Sequence, residues 1–409
     1  MRTAAWALLV AFAFAVPWEY SLDFGEPVGN VARVTGVVLL LFAVPAVLQA
    51  GRVRKPGPTS PGMVQWLVLA LFLWYCCSVF WSIDRDVTLD RLRGAIQVWM
   101  PVWLLWELVE KPEDLRVLLR AFVAGSWVLA VLTFVNFASP QATDQARFAA
   151  EGQDPNDVAR FLVMGLPLAA LLVNAERRWW ARLLAFGYLP LGLLAVLLTG
   201  SREGLLAGVA ALAGCGVLLF HRRPERLVPT LFLVPAIAAL IWAMVPAETF
   251  GRLATIPEQL HSGDLNQRLN IWSAGWQAFA RAPFFGSGAG TFVAVTGLAP
   301  IDTAHNTLLS IGVEGGIVEL ALCAAIVLAC ARSVLRMRGA LRIGFGTALG
   351  AWCLTCTAAT VEQNRTTWLL IGFIACAGRL SVEAPKETVR LFSGDEEQDV
   401  VYPLAHPTG

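Results

Sequence analysis

Asn266-Gln-Arg-Leu-Asn-Ile-Trp-Ser-Ala-Gly-Trp276, followed by Pro283-Phe-Phe-Gly-Ser-Gly-Ala-Gly290 and Ala304-His-Asn306, lies inside the longest polar interruption of the chain, about residues 249–316. On both sides the sequence is built from long apolar runs. With 57% apolar and 15% charged residues and a mean hydropathy of +0.62, one soluble core of 409 residues could not hide that much apolar surface. The composition therefore predicts an integral membrane protein. Runs of roughly 17 to 25 apolar residues favour transmembrane helices over barrel strands, because a helix satisfies its own backbone hydrogen bonds in lipid.

Outward from that stretch, apolar spans fall at about 4–17, 31–49, 63–81, 95–109, 116–138, 157–174, 180–199, 204–220, 228–246, 306–331, 343–360 and 367–380. About twelve transmembrane helices are expected, in one domain over 1–380 that includes a large loop at 247–304 with an amphipathic helix. The polar tail, 381–409, is expected to be cytoplasmic and disordered. Arg52, Arg54 and Lys55, Lys111 and Arg116, Arg177, Arg178 and Arg182, Arg222, Arg223 and Arg226, and Arg332 to Arg342 then collect in alternate loops. The positive-inside rule makes those loops and both termini cytoplasmic. Residues 1–15 also have the features of a secretory signal, which would leave the topology unchanged.

The opposite loops carry arginine and no lysine: Arg85, Arg91, Arg93, Arg147, Arg202, Arg252, Arg268, Arg281 and Arg365. Arginine stays charged when partly desolvated and offers a planar fork to phosphate oxygens. Ion pairing with Asp84, Asp86, Asp154 or Glu203 is the ordinary role for any one of them. Arg202 differs, because Thr199-Gly-Ser-Arg-Glu-Gly204 joins two apolar spans with almost no loop and so sets it at a helix N-terminus, where anions are favoured. Arg268 opens a segment in which Leu269, Trp272, Trp276 and Phe279 recur at helical spacing, an amphipathic helix suited to the membrane interface, with Trp272 one turn from Arg268.

His305 stands at the mouth of the span that begins at Asn306, where its ordinary pKa suits proton transfer. A capping histidine is the alternative. Glu314, nine residues on, lies more than about 13 Å deeper and cannot orient that imidazole; it is either functional or a helix-to-helix hydrogen bond. The Gly-rich 283–290 segment lacks the strand and Lys-Ser/Thr of a nucleotide loop, and reads as a turn with N–H groups that could face an anion. All eight cysteines lie in apolar runs and read as small hydrophobes. Asp84-Arg-Asp86 is a weak hint of a divalent metal; a solvated pair is the expected state.

Thr199-Gly-Ser-Arg-Glu-Gly204, Arg268-Leu-Asn-Ile-Trp272, Pro283-x-x-Gly286-x-Gly288 and His305-Asn-x-x-Leu308 leading to Glu314-x-Gly316 resemble, in order and spacing, the motifs of the O-antigen ligase and polymerase superfamily. Arg147 with Asp154-Pro-Asn156 also resembles that pattern, and the likeness covers about residues 140–380. The resemblance implies an all-α, polytopic, GT-C-like glycosyltransferase in the bacterial inner membrane with its active site facing the periplasm. It would transfer a preassembled glycan from undecaprenyl pyrophosphate to a sugar hydroxyl of lipid A-core, in lipopolysaccharide biosynthesis, with inversion and without a metal or other cofactor. His305 would be the general base. Arg202, Arg268 and Arg147 would bind pyrophosphate, with Asn306, Trp272, Asn156 and Glu314 as supporting residues. The expected partners are the lipid-linked donor, the lipid A-core acceptor and membrane lipid, with no nucleic acid. An O-antigen polymerase or a protein O-oligosaccharyltransferase would use the same apparatus, and a membrane transporter is the reading from a different class.

Overall fold

The computed structural model describes residues 1–25, 28–53, 62–139, 147–220, 227–261, 268–299 and 303–393, and all its named elements are helices. The long ones are α1 (Arg2–Ala15), α2 (Val31–Val53), α3 (Met63–Ser78), α4 (Arg85–Leu108), α5 (Pro112–Phe137), α6 (Pro155–Ala175), α7 (Trp179–Leu198), α8 (Arg202–Phe220) and α9 (Leu227–Met244). After four shorter helices, α10 (Ala247–Ala254), α11 (Ile256–His261), α12 (Arg268–Arg281) and α13 (Phe292–Thr296), come α14 (Thr307–Arg336), α15 (Gly339–Cys356) and α16 (Arg365–Glu383). Each of the twelve expected apolar runs is thus helical. Eight helices among the described residues are long and apolar enough to cross a membrane, or nine if α9 is joined to the α10–α11 segment across a 103° bend. The shortfall has physical causes: α3 has 16 residues, the first turns of α4 carry Arg85, Asp86, Asp90, Arg91 and Arg93, and α15 has 18 residues with Arg342 among them.

The centre of the bundle is α6, almost wholly buried and packed by α5, α7, α8 and α15. Small residues let these helices approach, as lipid-embedded packing requires. A Cβ on Gly165 would lie 2.6 Å from the Tyr188 hydroxyl, which itself donates to the Leu162 carbonyl at 2.9 Å. One on Gly344 would lie 2.4 Å from Leu171. Large apolar side chains such as Leu41, Leu73, Leu183 and Leu328 point outward, as they do where the solvent is lipid. The chain is an all-α polytopic membrane protein.

The disordered tail expected from residue 381 does not begin there. α16 continues to Glu383, and Pro385–Ser393 forms a further helix, α17, whose Thr388 and Phe392, four residues apart, are buried against α6, α15 and α16. Polar composition hid this short amphipathic turn. Residues 394–409 lie outside the described residues.

Candidate active site

The Thr199–Glu203 turn is where the expected arginines meet. Leu198 ends α7, Gly200 takes a positive φ of 60° that turns the chain, and the Ser201 hydroxyl caps α8 by accepting from Gly204 N–H at 3.2 Å. Gly204 has no room for a side chain, since a Cβ would sit 2.5 Å from that of Ala159. With the turn so fixed, its carbonyls become acceptors. Arg147 Nε donates to Thr199 O at 3.1 Å, and Arg252 Nε donates to Gly200 O at 3.1 Å. Arg202 Nε donates in return to Arg252 O at 3.2 Å, and its Nη2 donates to Thr255 Oγ1 at 2.6 Å. Arg202 therefore holds the backbone of Arg252, and Arg252 holds that of Gly200 in the turn.

Glu203 gathers the rest. Its carboxylate, 7% exposed, accepts from Arg160 at 2.6 Å and pairs with Arg268 at 3.5 Å. Arg160 also pairs with Asp157. Asn156 accepts from Arg147 Nη2 at 2.7 Å, and Asp154 caps α6 through Asn156 N–H at 2.7 Å. Arg147 and Arg252 are thus bonded to the turn that carries Arg202, while Arg160 and Arg268 pair with its Glu203. The excess of positive charge is felt within the group: burial first, and then the neighbouring charge of Arg252, holds the Arg147 guanidinium below its ordinary pKa. An anion entering here would be met by several preorganised donors. A cavity of about 670 Å³, lined in part by Arg147, Asn136, Ser21 and Gln153, adjoins this cluster.

Helix α12 connects the arginines to the histidine. Arg268 at its start reaches Glu203, and one turn later Trp272 Nε1 donates to Ala304 O at 3.0 Å. The next residue, His305, has a φ of 46°, the only positive φ among described non-glycine residues. Such left-handed backbone is uncommon outside glycine and is retained where surroundings impose it. Here they do. The Asn306 side chain caps α14 by accepting from Leu309 N–H at 3.0 Å and donates to Thr357 O at 3.2 Å, while the Thr307 hydroxyl donates to Ala359 O at 2.7 Å.

α12 itself is a packed helix as well as an amphipathic one. Its buried face is Ile271, Gly275 and Ala278, set on α14 and on Phe292 of α13; Leu269 and Trp276 are the exposed apolar residues. Reading the face from its large residues alone overlooked Gly275, where a Cβ would lie 2.8 Å from Leu309.

Glu314 has a different place from the arginines. It is 3% exposed, and its carboxylate accepts from Gly290 N–H at 2.7 Å and Phe292 N–H at 3.4 Å, with Arg91 at 3.9 Å. Its carbonyl accepts from Gly288 N–H at 2.9 Å, and Ile317 N–H donates to Pro283 O at 2.8 Å across the break in α14 at Gly316. The Gly-rich 283–290 loop therefore does face an anion, the protein's own Glu314. Its positive-φ Gly286 abuts the Glu314 carbonyl, where a Cβ would be 2.3 Å away. Asp84 caps α4 by accepting from Val87 N–H at 3.1 Å. The side chain of His261 lies outside the described residues.

Sequence reasoning counted Arg252 among nine outward arginines without singling it out, and passed over Arg160 entirely. Asp157 and Arg160 at i and i+3 on one helix were a readable ion-pair signal. The eight-residue α10 that positions Arg252 is short and half polar, and so gave none.

No curated protein matches the chain. Residues 187–324, which contain the Thr199–Glu203 turn, α12, the 283–290 loop, His305 and Glu314, match the family model described as O-antigen ligase, so this central third of the chain is similar to that family.

Proposed function

We propose that this protein transfers a preassembled glycan from undecaprenyl pyrophosphate to a sugar hydroxyl of lipid A-core, with inversion at the anomeric carbon and without a metal. The observation that carries this reading is the convergence of Arg147, Arg202, Arg252 and Arg268 on one helix-mouth turn, joined through α12 to His305. The family supports a glycosyltransferase-like enzyme; the donor, acceptor and roles are our assignment.

In this mechanism His305 takes the proton of the acceptor hydroxyl as its oxygen attacks the anomeric carbon. The bond to pyrophosphate breaks on the opposite face, and the charge developing on the leaving group is met by Arg202 and Arg268, with Arg147 as a third donor. Preorganised donors of this kind contribute roughly 3–4 kcal/mol each, and a general base about 100- to 10,000-fold. Asn156 and Trp272 position Arg147 and the His305 segment; Asn306 and Glu314 hold the helix mouth and the glycine loop. The arginine loops face the periplasm of the inner membrane, and both termini are cytoplasmic, by the distribution of lysine and arginine.

A polymerase joining two lipid-linked glycans would use the same constellation. In cells making an O-antigen, loss of the protein should leave bare lipid A-core and polymerised glycan on its carrier. A single-repeat phenotype would assign the polymerase instead. With purified protein and defined donor and acceptor, transfer should persist in a chelator, and a magnesium requirement would overturn the metal-free mechanism.

A further inference from the structure

The end of the bundle opposite the arginine cluster carries a second basic site. A cavity of about 520 Å³ lies between α3, α4, α14 and α16, lined by Arg332, Arg336, Arg379, Glu383, Gln65 and Trp106 among others. Arg332 and Arg336 are one helical turn apart on α14, so they present their charges on one face. Both are exposed, and neither has a hydrogen bond or ion pair with the described residues. Arg379 is fixed: it donates to Trp106 O at 2.8 Å and to Val109 O, stands 4.5 Å over the Trp106 ring and pairs with Glu383 at 3.7 Å. Three guanidinium groups therefore face one carboxylate.

Gln65 makes this more than a basic patch. It is completely buried, and neither its amide nitrogen nor its amide oxygen has a hydrogen-bond partner; the Trp106 indole N–H is likewise unpartnered. A buried amide without hydrogen bonds is costly, and native interiors rarely keep one. An occupant that offers anionic acceptor oxygens would satisfy the amide and indole donors and the unpaired arginines together. The rim is apolar: Met63 and Val382, 66% and 64% exposed, border the same cavity, with Leu328 and Leu335 exposed on α14. A charged floor with an apolar, membrane-facing rim fits a headgroup with its acyl chains attached.

We propose that this cavity binds the phosphate headgroup of an anionic membrane phospholipid, separately from the site of glycan transfer. The probe is phosphatidylglycerol added to the full-length purified protein in phosphatidylcholine nanodiscs, read by lipids retained in native mass spectrometry and by the thermal unfolding midpoint. Phosphatidylglycerol should be retained and should raise the midpoint. The exposed pair Arg332→Gln/Arg336→Gln should weaken retention about 30-fold, roughly fivefold per arginine. Arg338→Gln/Arg342→Gln, an equal charge change outside the cavity, should leave it unchanged. Gln65→Leu should keep or raise the midpoint in phosphatidylcholine alone, because it removes the unpartnered amide, yet reduce the shift given by phosphatidylglycerol. The proposal is overturned if the Arg332/Arg336 variant retains lipid like the parent, if the Arg338/Arg342 variant loses as much, or if inorganic phosphate alone reproduces the shift.

Discussion

Replacing Arg202 by lysine keeps one positive charge and removes the guanidinium fork, so it tests whether geometry or mere charge matters at the helix mouth. Two bonds are at stake: Nε to Arg252 O at 3.2 Å and Nη2 to Thr255 Oγ1 at 2.6 Å. An ammonium can remake one of them, so the net loss of stability is about 1–2 kcal/mol. The effect on chemistry is larger. One preorganised donor removed from a developing negative charge costs about 100- to 1,000-fold in turnover. The assay is glycan transfer by purified protein at saturating lipid-linked donor, alongside thermal unfolding. Turnover should fall by that factor while the apparent affinity for donor changes much less. Because Arg252 Nε in turn holds Gly200 O at 3.1 Å, Arg202→Lys and Arg252→Lys should combine non-additively, with a coupling of about 1 kcal/mol. If Arg202→Lys melts earlier but turns over within about threefold of the parent, Arg202 only docks α10 and the leaving-group role is wrong.

Other substitutions separate the remaining roles. His305→Gly accommodates the positive φ at that position, so the protein should still fold while transfer falls about 100- to 10,000-fold; a folded variant that transfers normally removes His305 from the mechanism. Glu314→Gln loses the charge that Gly290 N–H, Phe292 N–H and Arg91 share, and should cost about 2–4 kcal/mol in thermal or denaturant unfolding; an unchanged midpoint would show that the glycine loop does not depend on it. Trp272→Phe deletes the bond to Ala304 O and should slow transfer several-fold with donor binding intact, since it loosens only the His305 segment; impaired donor binding would instead place the indole on the substrate.

How far the fold could be read in advance depended on what carried each signal. Twelve apolar runs became twelve helices because burial in lipid leaves the backbone no other solution. The Thr199–Glu203 turn was legible because five residues between two long apolar runs leave Arg202 nowhere to go. Glu314 was not. Its partners Gly290 and Phe292 are 24 and 22 residues away in sequence, and nothing local says that the glycine loop folds back around it. The role of Arg160 was missed because its pair with Glu203 arises only from the packing of α6 on α8, although its i,i+3 pair with Asp157 was local and readable. α17 was lost for the opposite reason, a polar surface that concealed two buried side chains.

The hold of Arg202 on the Arg252 backbone and of Arg252 on Gly200 bears on how the turn would meet an anion. Both guanidinium groups lie near that of Arg147, so the cluster carries a repulsion that its own hydrogen bonds must restrain. On the proposed function, a pyrophosphate would relieve that repulsion while the protein's own bonds stay in place, so occupancy and tightening would be one equilibrium seen from two sides.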